Sequence, residues 1–112
     1  MVGFVLDQHM GRPFGVQTQF FGRPAGTAYG LALFQMKTER PVIPVYNYLS
    51  NDGKIHIVAE APFEYRPELA DKEREQTLVE LTQSYTDKIE EIVRRYPDQW
   101  MWIHRRWKWK GN

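Results

Sequence analysis

The order of predicted elements between residues 16 and 46 limits the possible folds of this chain more than any other feature. Residues 16–21 mix β-branched and aromatic side chains with glutamines, which is typical of a strand. Residues 22–26 alternate Gly and Pro with other residues and predict a loop. Small and apolar residues over 28–37 then indicate a helix that Thr27 is suited to cap.

A second, more apolar strand follows this helix at residues 40–46. Pro44 has no N–H for a ladder hydrogen bond, so this strand is expected to have an edge, a bulge or a break there. A strand, a helix and a second strand in succession form a βαβ unit, whose crossover makes the two strands parallel. We therefore expect an α/β fold with a partial, mainly parallel sheet.

The βαβ interpretation also predicts where a ligand binds. Ligands of parallel sheets lie beyond the carboxyl ends of the strands, near helix N-termini. Arg23 and the backbone N–H groups around Gly26 and Thr27 are expected at that place. Because these groups donate hydrogen bonds, the sequence predicts a site for an anionic or polar group.

The middle of the chain predicts a β-hairpin. Asp52-Gly53 favours a tight turn before a strand at residues 54–60. One face of that strand carries the apolar side chains, and the other carries His56 and Glu60. We interpret the second face as half-solvated, because spacing alone does not make a catalytic pair of these two residues.

A long amphipathic helix is predicted from Asp71 to about Tyr96, and Pro97 ends it. Its apolar side chains recur at spacings of three and four and form one stripe, surrounded by charged residues. We expect this stripe to face the core. Its members are Leu78, Leu81, Tyr85, Ile89, Ile92 and Tyr96.

Composition restricts the class of protein. The 112 residues are one domain's worth of chain or less, and the 42% of hydrophobic residues can support a core. The chain has no cysteine, so it has neither a disulfide framework nor a thiolate zinc site. No apolar run reaches the length of a membrane span, and the start of the chain lacks the basic region of a signal peptide.

The net charge of +1 conceals a segregation of charge. Residues 60–91 contain ten acidic and four basic residues, whereas residues 92–112 contain one acidic and six basic residues. All four tryptophans also lie in this last segment. Such a segment binds single-stranded nucleic acid, lies at an anionic membrane interface, or completes the core with its tryptophans, and the residues alone leave these alternatives open.

The N-terminus adds one further candidate. Residues 1–6 indicate a short buried strand that runs into Asp7, Gln8 and His9. A polar cluster at the carboxyl end of a strand is a frequent place for chemistry in α/β sheets. The alternative is that Asp7 only caps the turn before Gly11.

Several stretches of the chain form an ordered set of motifs. The matching stretches are Phe4-Val5-Leu6-Asp7-Gln8-His9, Gly15-Val16, Phe20-Phe21-Gly22-Arg23-Pro24-Ala25-Gly26-Thr27, Pro41-Val42-Ile43-Pro44-Val45, Asp52-Gly53 and Pro97-Asp98-Gln99-Trp100-Met101-Trp102-Ile103-His104-Arg105-Arg106-Trp107-Lys108. Together they resemble the C-terminal half of the bacterial lipid A biosynthesis acyltransferases, the late lauroyl or myristoyl acyltransferases of the lysophospholipid acyltransferase superfamily. The resemblance covers essentially the whole chain, and its two longest motifs, at residues 20–27 and 99–108, are specific.

The resemblance implies an α/β enzyme at the cytoplasmic face of the bacterial inner membrane. Such an enzyme transfers a fatty acyl chain from acyl carrier protein to a hydroxyl of a lipid A precursor or related glycolipid. The expected partners are the glycolipid, acyl carrier protein and an anionic membrane surface, with no nucleic acid, no metal and no cofactor besides the acyl donor.

The resemblance also implies roles for individual residues. Asp7 matches an acidic residue that supports the active site. Arg23, Gly26 and Thr27 fall in a block that corresponds to the substrate-phosphate loop, and the guanidinium of Arg23 suits a phosphate because it donates two parallel hydrogen bonds. Membrane or headgroup contacts are implied for Trp100, Trp102, Arg105, Arg106 and Lys108.

One part of the family pattern is missing. In that family a histidine deprotonates the acceptor hydroxyl, and an acidic residue five positions later orients it. The residues five positions after His9, His56 and His104 are Phe, Ala and Trp. We therefore expect residues 1–112 to be the C-terminal part of one acyltransferase domain, with the base upstream, no activity alone, and exposed sheet surface that promotes self-association. The alternative is a non-catalytic module that binds anionic membrane or a partner protein through its Trp/Arg/Lys tail.

Overall fold

The computed structural model describes residues 3–4, 10 and 13–99. Within these residues the chain forms two antiparallel hairpins and two helices, together with two short 3-10 turns at Pro67–Asp71 and Pro97–Gln99. The elements in chain order are β1 (Gly15–Phe20), β2 (Arg23–Ala28), α1 (Gly30–Thr38), β3 (Val45–Leu49), β4 (Ile55–Ala59) and α2 (Arg74–Arg95).

Residues 23–26 of the predicted loop are instead part of a strand. β2 pairs antiparallel with β1, from Gly15 opposite Ala28 to Phe20 opposite Arg23. The two-residue turn between them has positive φ at Phe21 (53°) and Gly22 (74°), as the favoured hairpin turns require.

The prediction of a mainly parallel sheet is also wrong, although the prediction of a mixed α/β class is confirmed. Within residues 13–99, β1 pairs with β2 and β3 pairs with β4, and both sheets are antiparallel. β2 borders one edge of β1, and on the other edge the side chain of Gln83 from α2 binds the backbone of Gln19.

The first helix begins later than predicted, and Thr27 does not cap it. α1 starts at Gly30, and its N-cap residue Tyr29 makes no side-chain capping hydrogen bond. The side chain of Thr27 is fully buried in β2, where its hydroxyl lies 2.9 Å from the hydroxyl of Thr18. A threonine held in a strand ladder cannot turn its hydroxyl toward the first N–H groups of the helix.

The second hairpin forms where the sequence predicts it. β3 and β4 are joined by a turn in which Gly53 has φ of 82°, as predicted for Asp52-Gly53. The expected break at Pro44 is also present, because β3 starts only at Val45. The N–H of Glu60 instead donates to the carbonyl of Pro44 at 2.9 Å.

The long helix lies close to its predicted bounds. α2 begins at Arg74, with Glu73 and not Asp71 as its N-cap residue, and ends before Pro97. Leu78, Leu81 and Tyr85 of the predicted stripe are buried in one small core, and Val93 is the helix residue buried in a second, with Ile89 packed against it. No helix of the described residues is long and apolar enough to cross a bilayer. The buried members are Ala32, Leu69, Leu78, Leu81 and Tyr85 in one core, and Phe20, Ala25 and Val93 in the other.

Candidate functional site

The β1–β2 hairpin, which carries the Phe-Phe-Gly-Arg-Pro-Ala-Gly-Thr block, is bound to α2 by hydrogen bonds. The amide of Gln83 accepts from the N–H of Gln19 at 2.7 Å and donates to its carbonyl at 2.9 Å. About two turns further along α2, the carboxylate of Glu90 accepts from the N–H of Phe21 at 2.5 Å. These contacts fix the turn of the hairpin beside the C-terminal third of the helix.

Apolar packing holds the same end of the hairpin. Phe20 and Ala25 are completely buried and contact Val93 in the second core. Phe21 packs edge-on against Phe20, with ring centroids 4.7 Å apart. The guanidinium of Arg94 lies 4.6 Å from the centre of the Phe21 ring, which is a favourable cation–π distance.

Arg23 is at the exposed end of this hairpin. It lies opposite Phe20 in the ladder, so it is on the face of the hairpin that contacts α2, and its side chain is exposed. Arg94 and the last residues of α2 are at the same end of the molecule. The described chain also leaves at this end, through Pro97–Gln99.

The structure does not bring Arg23, Gly26 and Thr27 together at a helix N-terminus. All three lie in one strand, and Arg23 and Thr27 are four residues apart, which is about 13 Å along a strand. Gly26 is buried, and its carbonyl accepts a hydrogen bond from the N–H of Met10 at 3.1 Å. Residues 23–26 are therefore strand and not a loop at a helix start, while the substrate-binding roles of Arg23, Gly26 and Thr27 stay predictions.

An ion-pair cluster connects the second hairpin to α2. Glu60, whose side chain is 15% exposed, accepts from Arg95 at 2.9 Å and from Lys88 at 3.3 Å. Arg95 also donates to the hydroxyl of Tyr46 at 3.0 Å, and Lys88 lies 2.7 Å from Glu91. The positive charges at this end of α2 are thus neutralised by carboxylates.

These contacts change the proton affinities of the cluster. The hydrogen bond from Arg95, assisted by the one from Lys88, outweighs desolvation and lowers the pKa of Glu60 to about 2. The hydrogen bond with Glu91 raises the pKa of Lys88, and the one with Glu60 raises that of Arg95. All three groups therefore stay charged near neutral pH, which suits a structural cluster and not a proton-transfer pair.

His56 is in a turn network that lacks the order of a catalytic triad. Its Nε2 atom lies 3.0 Å from the hydroxyl of Ser50, and that hydroxyl donates to Asp52. The hydrogen bond with Ser50 lowers the pKa of Asp52. In a serine triad the carboxylate orients the imidazole, which takes the proton of the serine. Here the Asp52 carboxylate instead accepts the hydrogen bond of the Ser50 hydroxyl, so this turn does not have the arrangement that activates a serine nucleophile.

Sequence reasoning missed a buried polar network in the first core. Gln35 of α1 is 1% exposed, and its Nε2 atom donates to the carbonyls of Arg40 and Phe63 at 3.2 and 3.0 Å. The hydroxyl of Tyr85 donates to the Gln35 side-chain carbonyl. The sequence contains one signal for this network, a single glutamine within the otherwise apolar run of α1.

Two sets of predicted site residues are outside the described part of the chain. One is Asp7, and the other is the group Trp100, Trp102, Arg105, Arg106 and Lys108. Among the residues that the structure does describe, no group of three or more His, Asp or Glu side chains could hold a metal ion.

The comparison with known families shows to which family the chain belongs. The family described as bacterial lipid A biosynthesis acyltransferase matches residues 1–109. The chain belongs to this family. No curated protein matches it significantly. The activity that membership implies is acyl transfer in lipid A biosynthesis.

The structure explains most residues of the Phe-Phe-Gly-Arg-Pro-Ala block of this lipid A acyltransferase chain. Gly22 supplies a positive φ at the turn, and the small side chain of Ala25 fits beneath α2. Pro24 lies opposite Gln19, at a ladder position whose N–H points away from the partner strand, so its missing donor is tolerated. Most of the block therefore serves the hairpin, and Arg23 presents its charged group at the surface.

Proposed function

We propose that this chain is the C-terminal part of a lipid A acyltransferase, and that it transfers a fatty acyl chain only together with an upstream part that carries the catalytic base. The donor in this proposal is acyl carrier protein, the acceptor is a hydroxyl of a lipid A precursor, and the enzyme acts at the cytoplasmic face of the inner membrane. The family match over residues 1–109 is the observation that carries the proposal.

In this proposal Arg23 binds a phosphate of the glycolipid. Arg23 is exposed beside a hairpin turn whose backbone is held by two hydrogen bonds with the Gln83 side chain and one to the Glu90 carboxylate, so its Cα is on a fixed support. The planar guanidinium is suited to a phosphate because it donates two parallel hydrogen bonds to it. Pro97–Gln99 is also at this end, and the basic residues 100–112 follow it in the sequence.

The test measures binding of the chain to vesicles that contain a phosphorylated lipid A precursor. Arg23→Ala is expected to weaken binding about tenfold, as the loss of a charge-assisted hydrogen-bonded pair does. Arg40→Ala is the matched control, because Arg40 is also exposed and also carries one positive charge. Equal loss in both variants would show that only net charge matters and would remove Arg23 from the site.

Activity tests the second half of the proposal. The chain alone is expected to give no acyl transfer from acyl carrier protein, since no histidine of the chain is followed five positions later by an acidic residue. In an active family member that carries both parts, alanine at the position of Arg23 is expected to lower turnover or raise KM while folding is unchanged. Turnover by the chain alone would contradict an upstream base.

The second candidate function is a non-catalytic module that binds anionic membranes through residues 100–112, whose sequence is basic and rich in tryptophan. Vesicles with anionic phospholipid but no glycolipid distinguish the two functions. The module predicts equal, salt-sensitive binding to both vesicle types, whereas the enzyme predicts a preference for the phosphorylated glycolipid that depends on Arg23.

A further inference from the structure

The β3–β4 hairpin has one covered face and one exposed face. On the covered face, the ring of Tyr48 stacks at 4.6 Å on Tyr96, the residue that follows α2, and Tyr46 receives a hydrogen bond from Arg95. The other face, which we call the outer face, consists of Val45, Asn47, Leu49, Ile55, Ile57 and Ala59, and all six are exposed.

The outer face is more apolar than a solvent-facing sheet surface should be. Ile57 is 77% exposed and Ile55 is 71% exposed, while Val45 and Leu49 are 60% and 55% exposed. Ile43, two residues before β3, is 56% exposed. The structure thus turns the apolar side of β4 outward. Contiguous apolar patches of this kind mark interaction sites.

We propose that the outer face is a dimer interface, on which a second copy of this chain packs its own outer face. The first reason is area. The four large aliphatic side chains of the outer face, together with the exposed Ile43 just before β3, offer roughly 500 Å² of apolar surface per copy, at ~100 Å² each. A stable dimer buries about 800 Å² per partner, of which about 65% is apolar, and this equals roughly 500 Å².

The second reason is that the face is complementary to itself. None of its six strand residues is charged, so two copies meet without repulsion. Asn47 pairs with Ile57 at the middle of the five-residue ladder, where a two-fold axis would pass. The amide of Asn47 both donates and accepts, so two Asn47 side chains satisfy each other across such an axis.

The composition of the face favours a second copy over a bilayer. Surfaces that lie in a membrane interface carry Trp or Tyr rings and Lys or Arg side chains that anchor them at the headgroups. The six residues of the outer face include neither aromatic nor basic side chains, while Tyr46, Tyr48 and Arg95 are on the covered side. Two aliphatic sheet faces instead pack about 10 Å apart, as in β-sandwiches.

The experiment uses the absence of cysteine from the chain. Asn47→Cys places one thiol at the centre of the outer face, and Phe34→Cys places one on α1, at another exposed apolar residue. Because face-to-face sheets are too far apart for a direct disulfide, a short bis-maleimide is the cross-linker. We expect cross-linked dimer from Asn47→Cys at a yield at least fivefold above that from Phe34→Cys.

Sedimentation equilibrium of the full chain gives the second readout. The mass of the chain is expected to rise with concentration from that of one chain to that of two, and Ile57→Lys is expected to keep it at one. Phe34→Lys, the matched control, is expected to associate like the unchanged chain. Circular dichroism checks that both variants keep their fold, and Ile57→Gln replaces Ile57→Lys if the lysine disturbs it.

Each other result overturns the proposal. A chain that stays monomeric at all concentrations has no interface on this face. Association that Ile57→Lys leaves unchanged, or equal cross-linking from both cysteine variants, means that another surface or a non-specific contact is responsible. Loss of vesicle binding in Ile57→Lys without any change in association means that the outer face lies on lipid.

Discussion

The side-chain amide of Gln83 binds both backbone groups of Gln19, 64 residues earlier in the chain, and so covers the outer edge of β1 at this residue. An unpaired strand edge is a template for pairing with another strand. Here the edge is covered by a helix side chain, and the hairpin is tied to α2 at the same time. This relationship places the turn that presents Arg23.

Gln83→Ala removes both hydrogen bonds and is expected to lower the free energy of unfolding by about 1 kcal/mol or more. The loss is expected because Gln19 then depends on water for these two groups. Gln76→Ala is the matched control, since Gln76 is an exposed glutamine of the same helix. Urea unfolding of both variants checks the prediction, and equal midpoints would show that the Gln83 contacts contribute nothing.

Tyr85→Phe tests the buried network that sequence reasoning missed. Burial raises the pKa of Tyr85, so its hydroxyl stays protonated and donates to the Gln35 carbonyl throughout the usual pH range. Removing this donor from the buried amide is expected to cost about 1–3 kcal/mol of stability. Tyr48→Phe, which keeps the stacking on Tyr96, is expected to change the unfolding midpoint much less.

Two glycine substitutions are expected to act in opposite directions. Gly22→Ala places a Cβ on a residue with φ of 74° and is expected to destabilise the chain by about 1–2 kcal/mol. Gly30→Ala is at the start of α1, where the added Cβ meets a Phe4 ring carbon at an ordinary 3.8 Å, so it is expected to be neutral or to stabilise by up to ~1 kcal/mol. Thermal unfolding compares them, and a stabilising Gly22→Ala would contradict the turn.

The ion pairs of Glu60 predict a dependence of stability on pH. The pKa of Glu60 is about 2 in the folded chain, against an ordinary value of 4.5. Because the folded pKa is the lower one, the stabilisation is complete above pH 4.5 and is lost as pH falls toward 2. The difference in Tm between the unchanged chain and Glu60→Gln is therefore expected to be constant near neutral pH and to shrink across this window.

Glu64→Gln is the control for this experiment, because Glu64 is exposed. Its Tm difference from the unchanged chain is expected to be small at every pH. A Glu60→Gln difference that persists unchanged at pH 2 would mean that the stabilisation comes from packing of the side chain and not from its charge.

Several elements were predictable because their signals are local. The stripe of α2 from Leu78 to Tyr96 repeats at helical spacing, and one helix results whatever packs against it. Asp52-Gly53 is a strong turn signal, and the β3–β4 hairpin forms there. The break at Pro44 follows from a missing N–H, which no tertiary contact restores.

The β1–β2 hairpin was not predictable in the same way. Arg23–Ala28 contains proline, glycine and two alanines, which all disfavour strands, and this composition favoured a loop. The segment is nevertheless a strand because β1 lies beside it and α2 packs closely against the pair. That approach needs small side chains, and Ala25 and Thr27 are accordingly fully buried.

By itself, the sequence determined the two helices, the second hairpin, the segregation of charge and, through its ordered motifs, the family. Only the tertiary structure decided that the first two strands are antiparallel, that Thr27 is buried away from the helix start, and that the apolar side of β4 faces outward. The physical reason is that helix periodicity and turn chemistry act between near neighbours. Strand pairing and the choice of buried face instead depend on residues far along the chain, such as Gln83 for β1 and Tyr96 for β3.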